Sequence, residues 1–197
     1  MNARQFPNIG VIEKQLSQEE INYLWKCIGD KGSSYKSALV GHIDNSYVLD
    51  GGDYFYRTTV APIINTYQEK FLNLGSRIPT TEQHDYIMNQ WWVNYQNQHE
   101  FNPLHNHTGV YSFVIWMKIP TDYEDQQSLS FNDGAVSNFE FQYVNILGEM
   151  ESFTYAMSGH LEGTMVLFPS KLKHQVYPFY NCEEQRISIS GNICLKS

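Results

Sequence analysis

Cysteine is scarce in this chain, and the cysteines that are present form no recognisable pattern. The 197 residues include three, Cys27, Cys182 and Cys194, which are far apart in the sequence and odd in number. No two of them make a C-x-x-C pair, so the sequence offers neither a cysteine-based zinc motif nor a disulfide framework. We therefore expect reduced thiols in a protein that works in the cytoplasm.

Basic residues and long apolar segments are also few. The chain has 13 lysines and arginines against 21 aspartates and glutamates, which gives a formal net charge of −8. This balance makes bulk nucleic acid an improbable partner, although a local basic groove stays compatible with it. No stretch approaches the roughly 20 apolar residues of a membrane span, and the N-terminus lacks the apolar core of a signal peptide. The expectation is a soluble, intracellular protein without a membrane partner.

Apolar and aromatic residues are plentiful. Hydrophobic residues make up 42% of the chain and aromatic residues 15%, with 14 tyrosines and 4 tryptophans. This composition is globular, and the length is that of about one domain. No repeat, low-complexity tract or linker divides the sequence. We therefore predict a single domain over residues 1–197, with a helical N-terminal buttress to about residue 80 and a β-rich core over about 81–197.

The first predicted helix covers residues 17–28. Ser17 and Glu20 have the S-x-x-E spacing of a capping box, which satisfies backbone N–H groups at a helix start. Apolar residues recur at helical spacing within this segment, at Ile21, Leu24, Trp25 and Ile28. Gly29 follows them as the expected C-cap.

A second helix is predicted over residues 54–74. Pro62 is expected to start or kink it, because proline lacks the backbone N–H that an inner helical turn needs. Residues 30–52 lie between the two helices and are rich in Gly, Ser, Asp and Asn, so they are predicted to be a loop. One face of the second helix is marked by Ile63, Ile64, Tyr67, Phe71 and Leu74.

The character of the sequence changes after Pro79. Residues 86–95 are rich in aromatic and β-branched residues, and residues 110–119 form a near-continuous apolar run that ends at Pro120. Turn residues separate the later strand candidates at intervals of roughly 8 to 12 residues, which is typical of a β-sandwich or barrel such as the jelly roll. These candidates cover residues 138–146, 151–157, 163–168, 174–178 and 186–195.

Two of the seven histidines form an H-x-H pair, His105 and His107. Residues two apart on an extended chain point to the same side, so this pair can place both imidazoles at one metal ion. A metal site needs a third ligand, and His174 is the best candidate because it opens a strand after a Pro-Ser turn. His160 and His99 lie in loops and are weaker candidates.

Arg186 begins a segment in which polar and apolar residues alternate. Arg186, Ser188 and Ser190 share one face of the predicted strand, and isoleucines occupy the other face. The strand follows His174 by 12 residues, so an antiparallel return would bring Arg186 into the same cavity. A buried arginine there requires an anion, and its planar guanidinium suits a carboxylate.

With these residues, the chain resembles the 2-oxoglutarate and iron(II)-dependent dioxygenases of the double-stranded β-helix fold over roughly residues 86–195. The resemblance is carried by HNHTGVYSFVIWMKIP at 105–120, FPSKLKHQVYP at 168–178 and RISISGNI at 186–193. They are similar to the family pattern of H-x-D, a distal His and then R-x-S. The most similar branch is found in phages and marine bacteria and has H-x-H where others have H-x-D, so a phage-encoded protein acting in a host cytoplasm is one expectation.

The resemblance implies a mainly β jelly-roll fold with N-terminal helices packed on it, and an enzyme that uses Fe(II) and the cosubstrate 2-oxoglutarate. His105 and His174 match the two metal histidines of the family. His107 stands where the family usually has aspartate, so the resemblance leaves open whether it binds the metal or water takes its place. Arg186 matches the arginine that binds the distal carboxylate of 2-oxoglutarate, and Ser188 matches its hydroxyl partner.

Further implications of the resemblance concern the cavity and its entrance. Tyr95, on the strand before the H-x-H pair, corresponds to a position that often gives the cosubstrate a hydroxyl group, and Asn94 is a weaker candidate. Residues 121–137 contain Asp, Asn, Gly and Ser, which suit a mobile lid for the substrate. The aromatic composition would also allow a homodimer.

Two alternative functions compete with this interpretation. A cupin-like metal enzyme without 2-oxoglutarate would also use H-x-H and a distal histidine, but cupins usually have a glutamate a few residues after the pair. The nearest downstream carboxylate here is Asp122. A non-enzymatic jelly-roll binding module would explain the aromatic residues, but it would not explain an inward-facing R-x-S strand beside three histidines.

Overall fold

Strands, which pair only antiparallel with one another, outnumber helices in this computed structural model, which describes residues 10–50, 53–82, 84–129 and 134–196. Ten strands are found in this part of the chain. In chain order they are β1 Ile12–Gln15, β2 Asn45–Val48, β3 Tyr86–Gln96, β4 Asn102–His105, β5 Tyr111–Lys118, β6 Phe139–Val144, β7 Met150–Tyr155, β8 Thr164–Pro169, β9 Lys173–Val176 and β10 Arg186–Leu195.

The strands form two sheets that pack face to face. The six-stranded sheet has the order β1-β8-β5-β10-β3-β2, and the four-stranded sheet has the order β4-β9-β6-β7. Aromatic side chains meet between the sheets, where the ring centroids of Trp116 and Phe139 are 5.7 Å apart and those of Phe141 and Phe168 are 4.9 Å apart. All seven strands predicted after residue 80 are present, with ends shifted by a few residues, and β4 is added to them.

Strand β5 is apolar along almost its whole length because both of its faces are covered. Phe113 and Ile115 point to the core beneath the N-terminal helices, whereas Val114 and Trp116 point to the core between the sheets. A strand that is buried on both sides loses the alternation of a half-exposed strand. The long apolar run in the sequence therefore marks the centre of the fold.

Helix α1 spans Gln18–Gly29 and begins with the predicted capping box. The backbone N–H of Glu20 donates to Ser17 Oγ at 3.3 Å, and the N–H of Ser17 donates to Glu20 Oε2 at 2.8 Å. The prediction that Gly29 is the C-cap is wrong by one residue. Asp30 takes that place with φ −95°, an ordinary conformation for which glycine is not needed.

The second predicted helix is shorter and less regular than expected. A π-helical stretch covers Tyr56–Val60, and α2 follows over Ala61–Lys70. Pro62 lies at the start of α2, so its missing N–H falls where the regular hydrogen-bond ladder is already interrupted. The backbone leaves the helix at Phe71, with φ −122° and ψ −90°, three residues before the predicted end at position 74.

The N-terminal part contributes strands as well as helices. The prediction of a loop over residues 30–52 is wrong for β2, which pairs with β3 at the edge of the larger sheet, and for a short 3₁₀ turn at Lys36–Ala38. The sequence pattern did not predict β2 because the strand contains polar residues, and an edge strand of four residues needs only one or two apolar contacts. Residues 51–52 of that stretch lie outside the described residues.

The predicted lid over residues 121–137 contains the short helix α3, Tyr123–Gln127, capped by the side chain of Asp122. Residues 130–133 of this segment lie outside the described residues. Among the described helices, none combines the length and the apolar character that crossing a membrane requires.

Candidate metal and cosubstrate site

Two of the three candidate histidines are held directly opposite one another in the smaller sheet. Strand β4 ends at His105, which pairs in register with His174 of the neighbouring strand β9. His107 lies just beyond the end of β4, where its backbone N–H donates to the carbonyl oxygen of Ser170 at 2.8 Å. The H-x-H pair is thus not on one continuous strand, but a backbone hydrogen bond fixes its second member.

The three imidazoles come together as the sequence predicted. Their potential ligand atoms all lie within 4.8 Å of one another, and the Nε2 atoms of His107 and His174 are 3.2 Å apart. Two nitrogen ligands about 2.1 Å from one metal ion, at roughly a right angle, lie about 3 Å apart. The spacing of these side chains therefore fits a single transition-metal ion.

Backbone carbonyl groups orient two of the rings. The Nδ1 atom of His105 is 2.7 Å from the carbonyl oxygen of Pro103, and the Nδ1 atom of His174 is 3.0 Å from that of Leu172. Because a carbonyl oxygen only accepts hydrogen bonds, each Nδ1 must carry the proton and donate it. Each Nε2 atom then carries the lone pair of the ring, which is the arrangement that metal-binding histidines show in general.

Burial keeps the three imidazoles neutral. Burial, with a smaller contribution from neighbouring His105, lowers the pKa of His174 to about 3 and the pKa of His107 to about 4. Burial also lowers the pKa of His105. A neutral imidazole is the form that binds a metal, so the site is prepared for an ion at neutral pH without first losing protons.

Phenylalanine rings from both sheets surround His174. The centroids of Phe139, Phe141 and Phe168 lie 5.7, 6.1 and 4.9 Å from the imidazole centroid. The side chain of His174 is therefore locked by packing as well as by its hydrogen bond. Such packing limits the rotation of a ligand and holds it ready for the metal.

The histidines line a cavity of about 250 Å³ between the two sheets. Among the described residues that line it, Arg186 is the one charged side chain, because the three histidines are neutral. The larger sheet contributes alternate residues of β3 and β10, which face inward because side chains alternate along a strand. These inward residues are Gln90, Trp92, Asn94, Gln96, Arg186, Ser188, Ser190 and Asn192.

Arg186 is almost completely buried at this cavity, with 3% of its surface exposed. Its Nη2 donates to Ser137 Oγ at 2.6 Å and its Nη1 donates to Gln96 Oε1 at 3.4 Å, while Nε has no hydrogen-bond partner. The ring of Phe179 lies 4.9 Å from the guanidinium carbon. Three ion pairs occur in the part of the chain that the structure describes, and Arg186 takes part in none of them.

The buried guanidinium is therefore a cation without a protein anion. Burial lowers the pKa of Arg186 to about 9, so the side chain remains charged at neutral pH. A buried charge without a partner is costly, and a planar guanidinium with free N–H groups is the group that best recognises a carboxylate. The donor sets thus fit a divalent metal at the histidines and a carboxylate at Arg186.

The structure does not bring Tyr95 into this cavity. Tyr95 lies on the opposite face of β3, where its ring packs edge-on against Tyr47 with centroids 6.0 Å apart. Its neighbour Asn94, the weaker candidate, does line the cavity and accepts a hydrogen bond from Ser46 Oγ at 2.7 Å. The one-residue difference decides the face, because consecutive strand residues point to opposite sides.

The weaker histidine candidates lie elsewhere. His160 is exposed on a 3₁₀ turn, and His99 packs edge-on against Tyr180. Sequence reasoning missed two partners of Arg186, Gln96 and Ser137. Gln96 continues the inward alternation of β3 and could have been found from it, whereas Ser137 has no sequence signal because it belongs to an irregular segment.

The fold and the site together define a jelly roll with three histidines that could hold a metal ion. Structural comparison gives the same architecture. A Pseudomonas putida prolyl-4-hydroxylase matches with a TM-score of 0.55 and 12% identity over 96% of this chain and 94% of that chain. An oxidoreductase of the 2OG-Fe(II) oxygenase family from Burkholderia pseudomallei matches with a TM-score of 0.53 and 12% identity, covering 94% and 85% of the two chains.

A third similar structure is the viral collagen prolyl hydroxylase of Paramecium Bursaria Chlorella virus-1, solved as a 2OG complex. It has a TM-score of 0.50 and 12% identity over 93% of this chain and 94% of that chain. At such identities these likenesses concern the fold, and they confirm the predicted jelly roll. No curated protein matches the chain significantly.

The family is shown by the sequence itself. The family model described as "Putative 2OG-Fe(II) oxygenase" matches residues 90–192, which is more than half of the chain and includes all three histidines and Arg186. The chain therefore belongs to the 2OG-Fe(II) oxygenase family, and its enzyme class is that of the iron- and 2-oxoglutarate-dependent dioxygenases.

Proposed function

We propose that this protein is an oxygenase in which His105, His107 and His174 hold Fe(II), and Arg186 and Ser188 hold the distal carboxylate of 2-oxoglutarate. One observation carries the proposal. Three neutral imidazoles and one unpaired, buried guanidinium line the same enclosed cavity. A ligand with one end at the metal and a carboxylate at the other end would satisfy both groups.

Bound together, iron and 2-oxoglutarate supply oxidising power, because decarboxylation of the cosubstrate to succinate is coupled to the activation of oxygen. The chain's own residues bind and orient. His105 and His174 offer Nε2 lone pairs that their carbonyl partners hold in place. The phenylalanine rings around His174 exclude water from one side of the site.

Arg186 performs the second task, which is to fix the far end of the cosubstrate. Ser188 follows two residues later on the same face of β10 and lines the cavity with it. Residues two apart on a strand are separated by roughly 7 Å, so a carboxylate between the two side chains can accept from both. A cosubstrate held at both ends presents its reacting end to the metal in one orientation.

His107 distinguishes this site from one with a carboxylate ligand. Three neutral imidazoles leave the full charge of a divalent ion uncompensated, whereas an aspartate would reduce it. A more positive centre is a stronger Lewis acid and attracts the anionic cosubstrate more strongly. We propose that His107 binds the metal, because its Nε2 atom is 3.2 Å from that of His174.

We also propose a reducing, cytoplasmic environment. The three cysteines are free, and Cys27 is buried in the core beneath the helices. Proteins that keep several unpaired thiols are typical of compartments where glutathione maintains them in the reduced form.

The decisive experiment is anaerobic titration of the Fe(II)-loaded protein with 2-oxoglutarate. The chelate is expected to give a weak visible charge-transfer band, and Arg186→Ala should weaken the 2-oxoglutarate affinity by about 100-fold, since the variant loses a charged, hydrogen-bonded partner. Arg77→Ala removes an exposed arginine and is the matched control. Absence of the band, with equal affinities in wild type and Arg186→Ala, would rule out the proposal and favour a metal enzyme without 2-oxoglutarate.

A further inference from the structure

We propose that Ser137 and Gln96 are positioning residues for the cosubstrate, because they hold the Arg186 guanidinium with uncharged oxygens and leave its charge for the incoming carboxylate. The inference rests on the proposed function. In this inference, two residues outside the R-x-S motif orient the Arg186 guanidinium. Because both residues are uncharged, the guanidinium has no anionic partner until a dicarboxylate binds.

Ser137 adopts an unusual backbone conformation that allows its hydroxyl group to contact Arg186. It is fully buried and has a φ of 68°, a left-handed conformation that is unusual for residues other than glycine. Its backbone N–H donates to the carbonyl oxygen of Pro178 at 2.9 Å, next to Phe179, whose ring packs on the guanidinium. Backbone strain of this kind persists only where surrounding contacts enforce it, and here it directs Oγ to Arg186 Nη2 at 2.6 Å.

Gln96 holds the other side of the guanidinium. It lies directly opposite Arg186 in the pairing of β3 with β10 and is also buried. Its Nε2 donates to the carbonyl oxygens of Glu100 and Tyr177 at 2.7 and 3.3 Å. These two bonds fix which end of the amide faces the arginine, so Oε1 is presented to Nη1 at 3.4 Å.

The neutrality of both acceptors has a functional consequence. A carboxylate at either position would form a buried ion pair with Arg186, and the cosubstrate would have to displace it. Serine and glutamine oxygens orient the fork but do not cancel its charge, and Nε stays without a partner. The arrangement therefore selects an α-keto acid with a second carboxylate over one that lacks it.

The test compares a charged and an uncharged substitution at position 137. Ser137→Asp and Ser137→Asn introduce side chains of nearly equal size, and both residue types tolerate the left-handed conformation. Calorimetry on the full chain, loaded with Mn²⁺ in the absence of oxygen, measures the dissociation constants of 2-oxoglutarate and of 2-oxopentanoate, which has the same chain length without the distal carboxylate. Titration with Mn²⁺ and thermal unfolding show whether each variant keeps its metal site and its fold.

We expect the wild-type protein to bind 2-oxoglutarate at least about 30-fold more tightly than 2-oxopentanoate. Ser137→Asn should keep this ratio within about threefold, whereas Ser137→Asp should lower it by about 30-fold and leave the binding of 2-oxopentanoate unchanged. A general loss of structure would weaken both ligands, so the ratio separates positioning from folding.

Ser137→Gly and Gln96→Met provide second variants in case the aspartate prevents folding. Glycine removes the hydroxyl and relieves the strained φ, and each variant should lower the ratio by about tenfold. If the wild-type protein prefers 2-oxoglutarate and Ser137→Asp, Ser137→Gly and Gln96→Met all keep the full preference, the positioning role is overturned while the proposed function stands. If the wild-type protein shows no preference, the proposed function itself fails.

Discussion

The histidine end and the arginine end of the cavity are held in place by different kinds of contact. His105 and His174 each donate from Nδ1 to a carbonyl oxygen two residues earlier in the chain, at Pro103 and Leu172. Arg186 donates to side chains that are 49 and 90 residues away, Ser137 and Gln96. These two histidines are oriented locally, whereas the arginine is oriented by contacts that are distant in the sequence.

The two ends also differ in how they manage charge. Burial depresses the pKa of the histidines, so they are neutral until a cation arrives. Arg186 keeps its charge because its pKa, although lowered, stays above neutrality. One end of the cavity is thus uncharged and the other end is positively charged, which suits the proposed binding of a metal ion beside a dicarboxylate.

Removal of a ligand at the histidine end should have the largest effect. His174→Ala removes one of the three proposed nitrogen ligands, so we expect the metal affinity to fall by at least about 100-fold. This loss exceeds the loss of roughly 10- to 100-fold that follows from changing a residue that only supports a ligand. Equilibrium dialysis with Mn²⁺ measures it, and His160→Ala, which removes an exposed histidine, should have no effect. Wild-type affinity in His174→Ala would show that the metal does not bind here.

A conservative change at the arginine end should have the next largest effect. Arg186→Lys keeps a positive charge but loses the planar fork that reaches Ser137 and Gln96 together. We expect 2-oxoglutarate to bind about 30-fold more weakly, with Mn²⁺ affinity unchanged, because the two ends have separate supports. Isothermal titration of both ligands checks this, and a parallel loss of metal affinity would contradict the independence of the ends.

The charge states can be tested through the pH dependence of stability. The pKa of His174 is about 3 in the folded protein and near the ordinary value of 6.5 when the chain is unfolded. Between these values the unfolded chain binds a proton that the folded protein excludes, so stability falls as the pH is lowered below 6.5. From pH 7.5 to pH 5.0 this histidine alone should remove about 2 kcal/mol from the free energy of unfolding.

The matched variant for this test is His174→Phe, which fits the surrounding phenylalanine rings and does not titrate. Urea denaturation of the metal-free protein in a chelator gives the free energy of unfolding at both pH values. The variant should lose about 2 kcal/mol less than the wild-type protein over the same interval. Equal losses in the two proteins would mean that His174 titrates normally when folded.

The local support of the histidines explains why the sequence revealed them. An H-x-H pair and a histidine at a strand start are short-range patterns, and the R-x-S alternation of β10 is another. Ser137 is different, because its role depends on a left-handed backbone and on contacts with β10 and Pro178 that no local pattern encodes. Seven strands after residue 80 were predictable from apolar and aromatic segments between regularly spaced turns, but β4 was missed. Strand β2 depends on its pairing with β3, and the π-helical stretch depends on the proline that follows it, so neither has a local sequence signal.

Tyr95 gives the most sensitive test of the comparison, because the family resemblance made it a secondary candidate and the strand geometry places it outside the cavity. Ser188→Ala and Tyr95→Phe each remove one hydroxyl group. Ser188 lines the cavity beside Arg186, whereas Tyr95 packs against Tyr47 on the other face of β3. We expect Ser188→Ala to weaken 2-oxoglutarate binding by about fivefold, the loss of one hydrogen bond, and Tyr95→Phe to leave it unchanged.

Calorimetric titration of 2-oxoglutarate into the two Mn²⁺-loaded variants distinguishes them directly. A loss of affinity in Tyr95→Phe with none in Ser188→Ala would mean that the inward face of the larger sheet has been misjudged. Since Arg186 and Ser188 share that face, such a result would also remove Arg186 from the cosubstrate site, because strand alternation ties the two residues together. The smallest expected effect therefore constrains the whole arginine end of the cavity.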